Sequence, residues 1–277
     1  MFELNKYIDY LSKENYKEAL NYKNRNMPEK IYKYIWLDDI ECDNKNSKCD
    51  KSINLNNIKI QSIKDDKIWL STYDNLNDPF ELSALYLKEK EIINHGWPID
   101  IVKAVFEKIK KEFLIGSFTT HLSDSLPMWA HYANNHKGVC LEYTVVNPSY
   151  LYKVSYEMQR IPIASIITNL ISDVMHKKQP DHKYLMSIFN GGCIKDKSWI
   201  NEDEFRILYA NINKKDNGDL IKLNDIGLKL NSVYFGINCI NNYEEEIKNI
   251  CDEKECKCYK MYIKNDAKEF KLDYKKY

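Results

Sequence analysis

The sequence predicts an α+β fold: a single main domain with a mixed or largely antiparallel sheet, grouped helices and an N-terminal helix. Three observations carry this expectation. Short apolar stretches of strand character follow one another in the middle and at the end of the chain, without the regularly spaced crossover helices of a doubly wound sheet. No Gly-x-Gly-x-x-Gly or Gly-x-x-x-x-Gly-Lys loop occurs, so the nucleotide-binding folds built on those turns are disfavoured. The 277 residues are 44% hydrophobic, enough to bury a substantial core, and show no internal repeat.

Apolar residues at helical spacing (Leu4, Tyr7, Ile8, Leu11, Ala19, Leu20, Tyr22) run to Met27-Pro28, which ends the pattern. Residues 1–28 are therefore read as an N-terminal helix and 29–277 as the α+β domain. Ile31 to Leu37 reads as a buried strand, and the polar stretch from Asp38 to Asn57 as an exposed loop or insertion. A second strand, Lys67 to Tyr73, leads into the turn Asn75 to Pro79. Pro98 to Phe113 is an amphipathic helix with Ile101, Val102, Val105, Phe106 and Ile109 on one face, followed by a strand from Leu114 to Thr119. Later strands are expected at 151–157, 204–211, 220–223, 232–235 and 259–263. One or two helices fall within 163–188, interrupted near Gln179-Pro180, and another within 243–252.

Lys plus Arg and Asp plus Glu both number 41, so net charge gives no reason to expect nucleic acid or an anionic membrane as partner. The first residues lack the apolar run of a signal peptide, and no stretch approaches 18 apolar residues, which suggests a cytoplasmic protein with no membrane partner. Its eight cysteines are then expected to be reduced. Cys140, Cys193 and Cys239 sit among apolar residues and read as core. Cys42 with Cys49, and Cys251 with Cys256 and Cys258, lack paired CxxC halves; they read as surface thiols or, with a fourth thiolate shared between the groups, a zinc site. No metal is assigned.

The densest cluster of unusual residues is Met128 to Tyr143. Its first half reads as a helix, its second as a buried strand, and Asn134-Asn135-His136-Lys137-Gly138 between them as a helix stop. His131 and His136 are five apart, which is not the spacing of a metal pair on one helical face. A Cys140 nucleophile is disfavoured by its apolar strand. Two carboxylate elements are better placed for chemistry. Asn77-Asp78-Pro79-Phe80-Glu81 puts an amide and two acids in a stiff turn. In Glu202-Asp203-Glu204-Phe205-Arg206, period-two alternation sends Glu202, Glu204 and Arg206 to one side if the strand extends that far.

Together Ile31 to Tyr34, Trp69 to Ser71 with Asn77 to Glu81, Ser117-Phe118, Met128 to Glu142 and Trp199 to Arg206 resemble a bacterial family catalogued as domain of unknown function 2971, over about residues 30–240. The order of elements is more distantly similar to ADP-ribosyltransferases and related NAD-using toxins. That resemblance implies NAD as substrate, with Glu204 as the catalytic carboxylate on the nicotinamide ribose, Glu202 as its helper, and Lys33, Tyr34 and Ser71 as cofactor contacts. The chain departs from the pattern in having Lys33 where such enzymes usually carry Arg or His, and Tyr73 in place of a second Ser.

The leading expectation is an ADP-ribosyltransferase-like enzyme that cleaves NAD and modifies a macromolecular or nucleotide acceptor, as a toxin or anti-phage defence effector. Asn77, Asp78, Glu81, Trp129, His131, Tyr132, His136 and Arg206 would form the substrate-binding wall. One alternative is a non-catalytic recognition module of a defence or stress system, binding a protein or nucleotide through Trp129, Tyr132 and His136. Another is a nuclease holding magnesium with Asp78, Glu81 and Glu202.

Overall fold

The computed structural model describes residues 2–38, 47–179, 181–239 and 241–277, excluding the side chains of 47–54, 182, 183, 185 and 241. The strands in chain order are β1 (Lys30–Ile35), β2 (Lys67–Ser71), β3 (Leu85–Tyr86), β4 (Phe113–Thr119), β5 (Val139–Val145), β6 (Leu151–Lys153), β7 (Ser155–Glu157), β8 (Ile161–Pro162), β9 (Ile194–Asp196), β10 (Glu204–Ala210), β11 (Gly218–Lys222), β12 (Leu228–Phe235), β13 (Lys257–Ile263) and β14 (Leu272–Lys276). The helices are α1 (Leu4–Ser12), α2 (Tyr16–Arg25), α3 (Ser47–Lys64), α4 (Glu89–Asn94), α5 (Ile99–Lys110), α6 (Leu126–Tyr132), α7 (Ala164–Met175), α8 (His182–Gly191) and α9 (Asn241–Glu253).

Ten strands make one sheet in the order β11-β2-β4-β1-β5-β12-β13-β14, with β10 and then β6 branching from β4. All its pairings are antiparallel except β12 with β13, so the α+β class holds and the sheet is mixed. Alternation along β10 shows how the sheet divides core from site. Phe205 and Ile207 enter the main core with Ile31, Leu114 and Phe118, covered by Ile60 and Ile63 of α3 and by Ile247 and Ile250 of α9. Glu204 and Arg206 point to the opposite face. A second apolar cluster joins α4, α5, α7 and α8 through Ile92, Val102, Phe106, Ile167 and Ile188.

Strand β4 is the branch point. Its whole length pairs with β10, from Glu204 opposite Thr119 to Ala210 opposite Phe113. Its other edge is shared: β2 meets it only at Ser71 opposite Ile115, and β1 only at Tyr32 opposite Thr119. The two strands part between those contacts and leave a cleft floored by Ile115 and Ser117.

Several elements differ from the sequence reading. The N-terminal segment is two helices, because Glu14 adopts a positive φ of 57° and the Asn15 side chain caps α2 by accepting from the Glu18 N–H. The stretch expected as a loop to Asn57 is helical from Ser47, and residues 39–46 lie outside the described residues. The expected strand over 151–157 divides at Val154, which is 2% exposed: β6 stays in the main sheet, and β7 leaves to pair with β9 in parallel. The one or two helices expected within 163–188 are two, α7 and α8, although Pro180 lies outside the described residues. Among the described residues no helix is long and apolar enough to cross a membrane.

The junction after α6 forms as expected. Asn134, Asn135 and His136 take successive positive φ values of 46°, 51° and 67°, and the Gly138 N–H donates to the Ala133 carbonyl at 2.8 Å. A Cβ on Gly138 would lie 2.1 Å from the Ile35 carbonyl oxygen, so β1 approaches β5 here only because this residue has no side chain. Gly138→Ala is expected to destabilise the fold by about 1–3 kcal/mol, measured as a lower midpoint in urea unfolding with an unchanged slope.

Candidate functional site

The cleft between β1 and β2 has a volume of about 190 Å³. Lys33 and Tyr34 of β1, Trp69 and Ser71 of β2, Asn77 and Glu81 of the following turn, Tyr132 of α6, Lys195 of β9, and Glu202 with Glu204 at the start of β10 all line it. Eight of the residues singled out in the sequence therefore meet there: Lys33, Tyr34, Ser71, Asn77, Glu81, Tyr132, Glu202 and Glu204.

A chain of hydrogen bonds runs under and along the cleft. Asn77 Nδ2 donates to Tyr132 Oη at 2.9 Å, and Tyr132 Oη donates to Glu202 Oε1. Lys195 Nζ then bridges two carboxylates, at 2.7 Å from Glu202 Oε2 and 3.1 Å from Glu204 Oε2. Arg206 grips Glu204 through Nε at 2.8 Å and Nη2 at 3.1 Å, and grips Glu81 through Nη1 and Nη2. Its Nη1 also donates to the Gly192 carbonyl at 2.7 Å. With Lys33 the cluster holds three cations and three anions. Such balance is what allows charges to persist out of water.

Local geometry explains why both glutamates reach Lys195 although β10 begins only at Glu204. Asp203 adopts a left-handed conformation (φ 42°, ψ 53°) and turns its carboxylate the other way, accepting from Thr120 Oγ1 at 2.5 Å and Lys153 Nζ at 2.6 Å. Glu202 precedes that turn and Glu204 follows it. Both then face the cleft.

Burial and charge set the ionisation of these groups. Burial pushes the Glu204 carboxyl upward, but Arg206 and Lys195 outweigh it and hold it down at about 2. For Glu81 burial prevails, so its carboxyl lies above the ordinary value despite Arg206. Burial lowers the Lys33 ammonium to about 8 against the pull of Glu204. The Lys33 amine donates to the Ser117 carbonyl at 3.2 Å and lies over the Phe118 ring.

The two glutamates differ in access. The Glu204 side chain is 3% exposed, with both oxygens taken by Arg206 and Lys195, whereas Glu202 keeps 13% at the cleft wall. Tyr34 contributes its ring but not its hydroxyl, which bonds the carbonyls of His121 and Leu122 at 3.0 Å.

The remaining expected site residues stand elsewhere. Trp129 is fully buried, packed edge-on against Tyr34 and donating its Nε1 to Leu122 O at 2.8 Å, so it belongs to the core beneath the wall. His136 stacks on that indole, and His131 is exposed outside the cleft. Asp78 caps its own turn by accepting from the Phe80 N–H at 2.9 Å. Arg206 is 1% exposed and lies below the cleft. Asp78, Glu81 and Glu202 do not converge into the expected magnesium donor set, because Asp78 faces backbone and Glu81 is clamped by Arg206; among the described residues no group of three potential ligands is arranged to hold a metal.

Sequence reasoning missed Lys195 and Trp69. A lone lysine in Ile194-Lys195-Asp196 carries no signal, since its partners come from elsewhere in the fold. Trp69 was legible: alternation buries Ile68 and Leu70 and leaves the indole 45% exposed, with its Nε1 donating to Ser71 Oγ at 2.9 Å.

Removing a partner from a buried ion cluster strands the others, so Glu204→Gln is expected to cost about 3–5 kcal/mol at pH 7 in denaturant unfolding. The folded-state value of Glu204 is depressed. Its stabilising contribution is therefore complete above the ordinary value of 4.5 and is lost as pH falls from there through about 2. The Gln variant should show a correspondingly flatter loss of stability across that window.

Residues 128–207 match the model of a family described as protein of unknown function (DUF2971). The expected span of about 30–240 is thereby narrowed, since the pieces in β1, β2, the Asn77–Glu81 turn and β4 lie outside the match. No curated protein and no solved structure matches the chain. Over the segment that supplies Tyr132, Lys195, Glu202, Glu204 and Arg206, the chain is similar to this family of unknown function.

Proposed function

We propose that the protein is an ADP-ribosyltransferase-like enzyme that cleaves the nicotinamide–ribose bond of NAD in the cleft between β1 and β2. The observation that carries this reading is the convergence of Lys33 from β1, Ser71 from β2 and the Glu202–Glu204 pair at the entry to β10 on one cleft where the sheet forks. At about 190 Å³ the cleft is smaller than the ~300–1,000 Å³ typical of sites that enclose a drug-sized ligand. It suits one end of a dinucleotide, with the exposed Trp69 as a stacking surface for what extends beyond.

In this reading the glycosidic electron pair leaves with nicotinamide, and positive charge develops on the ribose. A carboxylate facing that carbon stabilises it. Glu202 fits this role because it keeps access to the cleft while Tyr132 and Lys195 fix its orientation. Glu204, closed off by Arg206 and Lys195, serves as the buried anion that positions Lys195. Lys33 supplies positive charge toward the phosphates. Transfer to a macromolecular acceptor would make the protein an effector, a toxin or defence component, and transfer to water would make it an NAD glycohydrolase.

A second reading is favoured by one observation: each oxygen of Glu202 and Glu204 already accepts a hydrogen bond, as expected of a nucleotide-recognition module without chemistry. Incubation of purified protein with NAD separates the two. Nicotinamide release that falls at least tenfold in Glu202→Gln, with an unchanged melting temperature, supports the enzyme. Saturable NAD binding without release supports the module, and neither binding nor release rejects both. Because Lys33 carries its charge below about 8 and loses it above, NAD affinity in titration calorimetry should weaken as pH rises through that value. Lys33→Met should remove this dependence.

A further inference from the structure

The turn between α9 and β13 brings three thiols together, well away from the cleft. Helix α9 ends at Glu253, Glu255 takes a positive φ of 56°, and the Cys256 N–H donates back to the Cys251 carbonyl at 2.8 Å. This six-residue closure is a common helix stop, and it draws residues 251 and 256 toward each other. Cys251 is fully buried in the main core together with Cys258, and Cys256 packs against that same cluster. Cys256 is only half-buried. It lines a surface cavity of about 490 Å³ together with Lys222, Lys229 and Lys254, and Asp65 and Asp66 stand on the same wall.

We propose that Cys256 and Cys251 form a peroxide-reactive dithiol, with Cys256 as the thiolate that is oxidised and Cys251 as the thiol that resolves it. Placement assigns the roles, since an oxidant in the cavity reaches Cys256 but not the buried Cys251. The chemistry of the pair agrees. The neighbouring Cys251 draws the Cys256 thiol below its ordinary value, with the Lys257 carbonyl and Lys254 adding to the effect against burial, while the neighbouring thiols and burial raise Cys251. In the first step the Cys256 sulfur attacks hydrogen peroxide, the O–O bond breaks, and a sulfenic acid and hydroxide form. Cys251 then attacks that sulfur, its proton leaves with the displaced hydroxyl as water, and a disulfide remains. Two thiols are oxidised, one peroxide is reduced, and two waters are released.

The test uses the full chain treated with hydrogen peroxide, blocked with N-ethylmaleimide and digested with trypsin without reduction. Lys254 and Lys257 place the three cysteines on separate tryptic peptides, so linkages can be read directly. Expected is a Cys251–Cys256 crosslinked pair with Cys258 still alkylated. Cys256→Ser should leave Cys251 and Cys258 fully alkylated, and Cys251→Ala should accumulate a dimedone-reactive sulfenic acid on Cys256. Full alkylation of all three thiols after peroxide would overturn the proposal. So would a linkage through Cys258 with Cys251 left alkylated, or undiminished Cys251 oxidation in Cys256→Ser. The Ser variant changes a half-buried residue, so the proposal stays testable even if the buried Cys251 substitution unfolds the chain.

Discussion

The bidentate grip of Arg206 on Glu204 and Glu81 is the constraint around which the cleft is organised. A guanidinium that is 1% exposed must have its donors satisfied in place, and those partners come from the start of β10, the turn after β2 and the Gly192 carbonyl. The pairing therefore fixes the distance between two segments far apart in sequence. It also fixes Lys195, which reaches Glu204 from a different sheet. Buried ion clusters contribute little net stability compared with apolar packing, but they impose one arrangement, because every alternative leaves a charge unpaired.

Much of this was legible in the sequence. Period-two spacing placed Glu204 and Arg206 on one face, and Asn134 to Gly138 announced a helix stop that the structure builds with three left-handed residues in a row. Other features were not legible, for physical reasons. Lys195 has meaning only through tertiary partners. The break between β6 and β7 follows from two sheets competing for one continuous run. Strand β14 is hidden by its lysines, since a strand that pairs on one edge and faces water needs no apolar run. Trp129, the most conspicuous residue of its segment, proved to be core, because a large ring beside a helix stop fills volume as readily as it binds ligands.

The site and the core share the same strands yet remain distinct. Along the first half of β10 Phe205 and Ile207, which enter the main core, alternate with Glu204 and Arg206, which enter the cluster, so stability of one face holds the geometry of the other. The segment similar to the family of unknown function runs from α6 to the middle of β10 and carries Glu202 and Glu204 together with the Lys195 and Arg206 that hold them. Lys33, Trp69 and the Glu81 that Arg206 clamps come from strands and a turn that precede it.

The fork at β4 gives the sheet a direction of least stiffness. Strands β1 and β2 are each held firmly on their far edges, by β5 and β11, but each is fastened to β4 by a single residue pair. Spreading them sacrifices little backbone bonding, while sliding β10 along β4 would break a full ladder. The sheet therefore yields across the cleft and resists along it, so a bulky guest can be admitted by a small elastic opening while the carboxylates below keep their register.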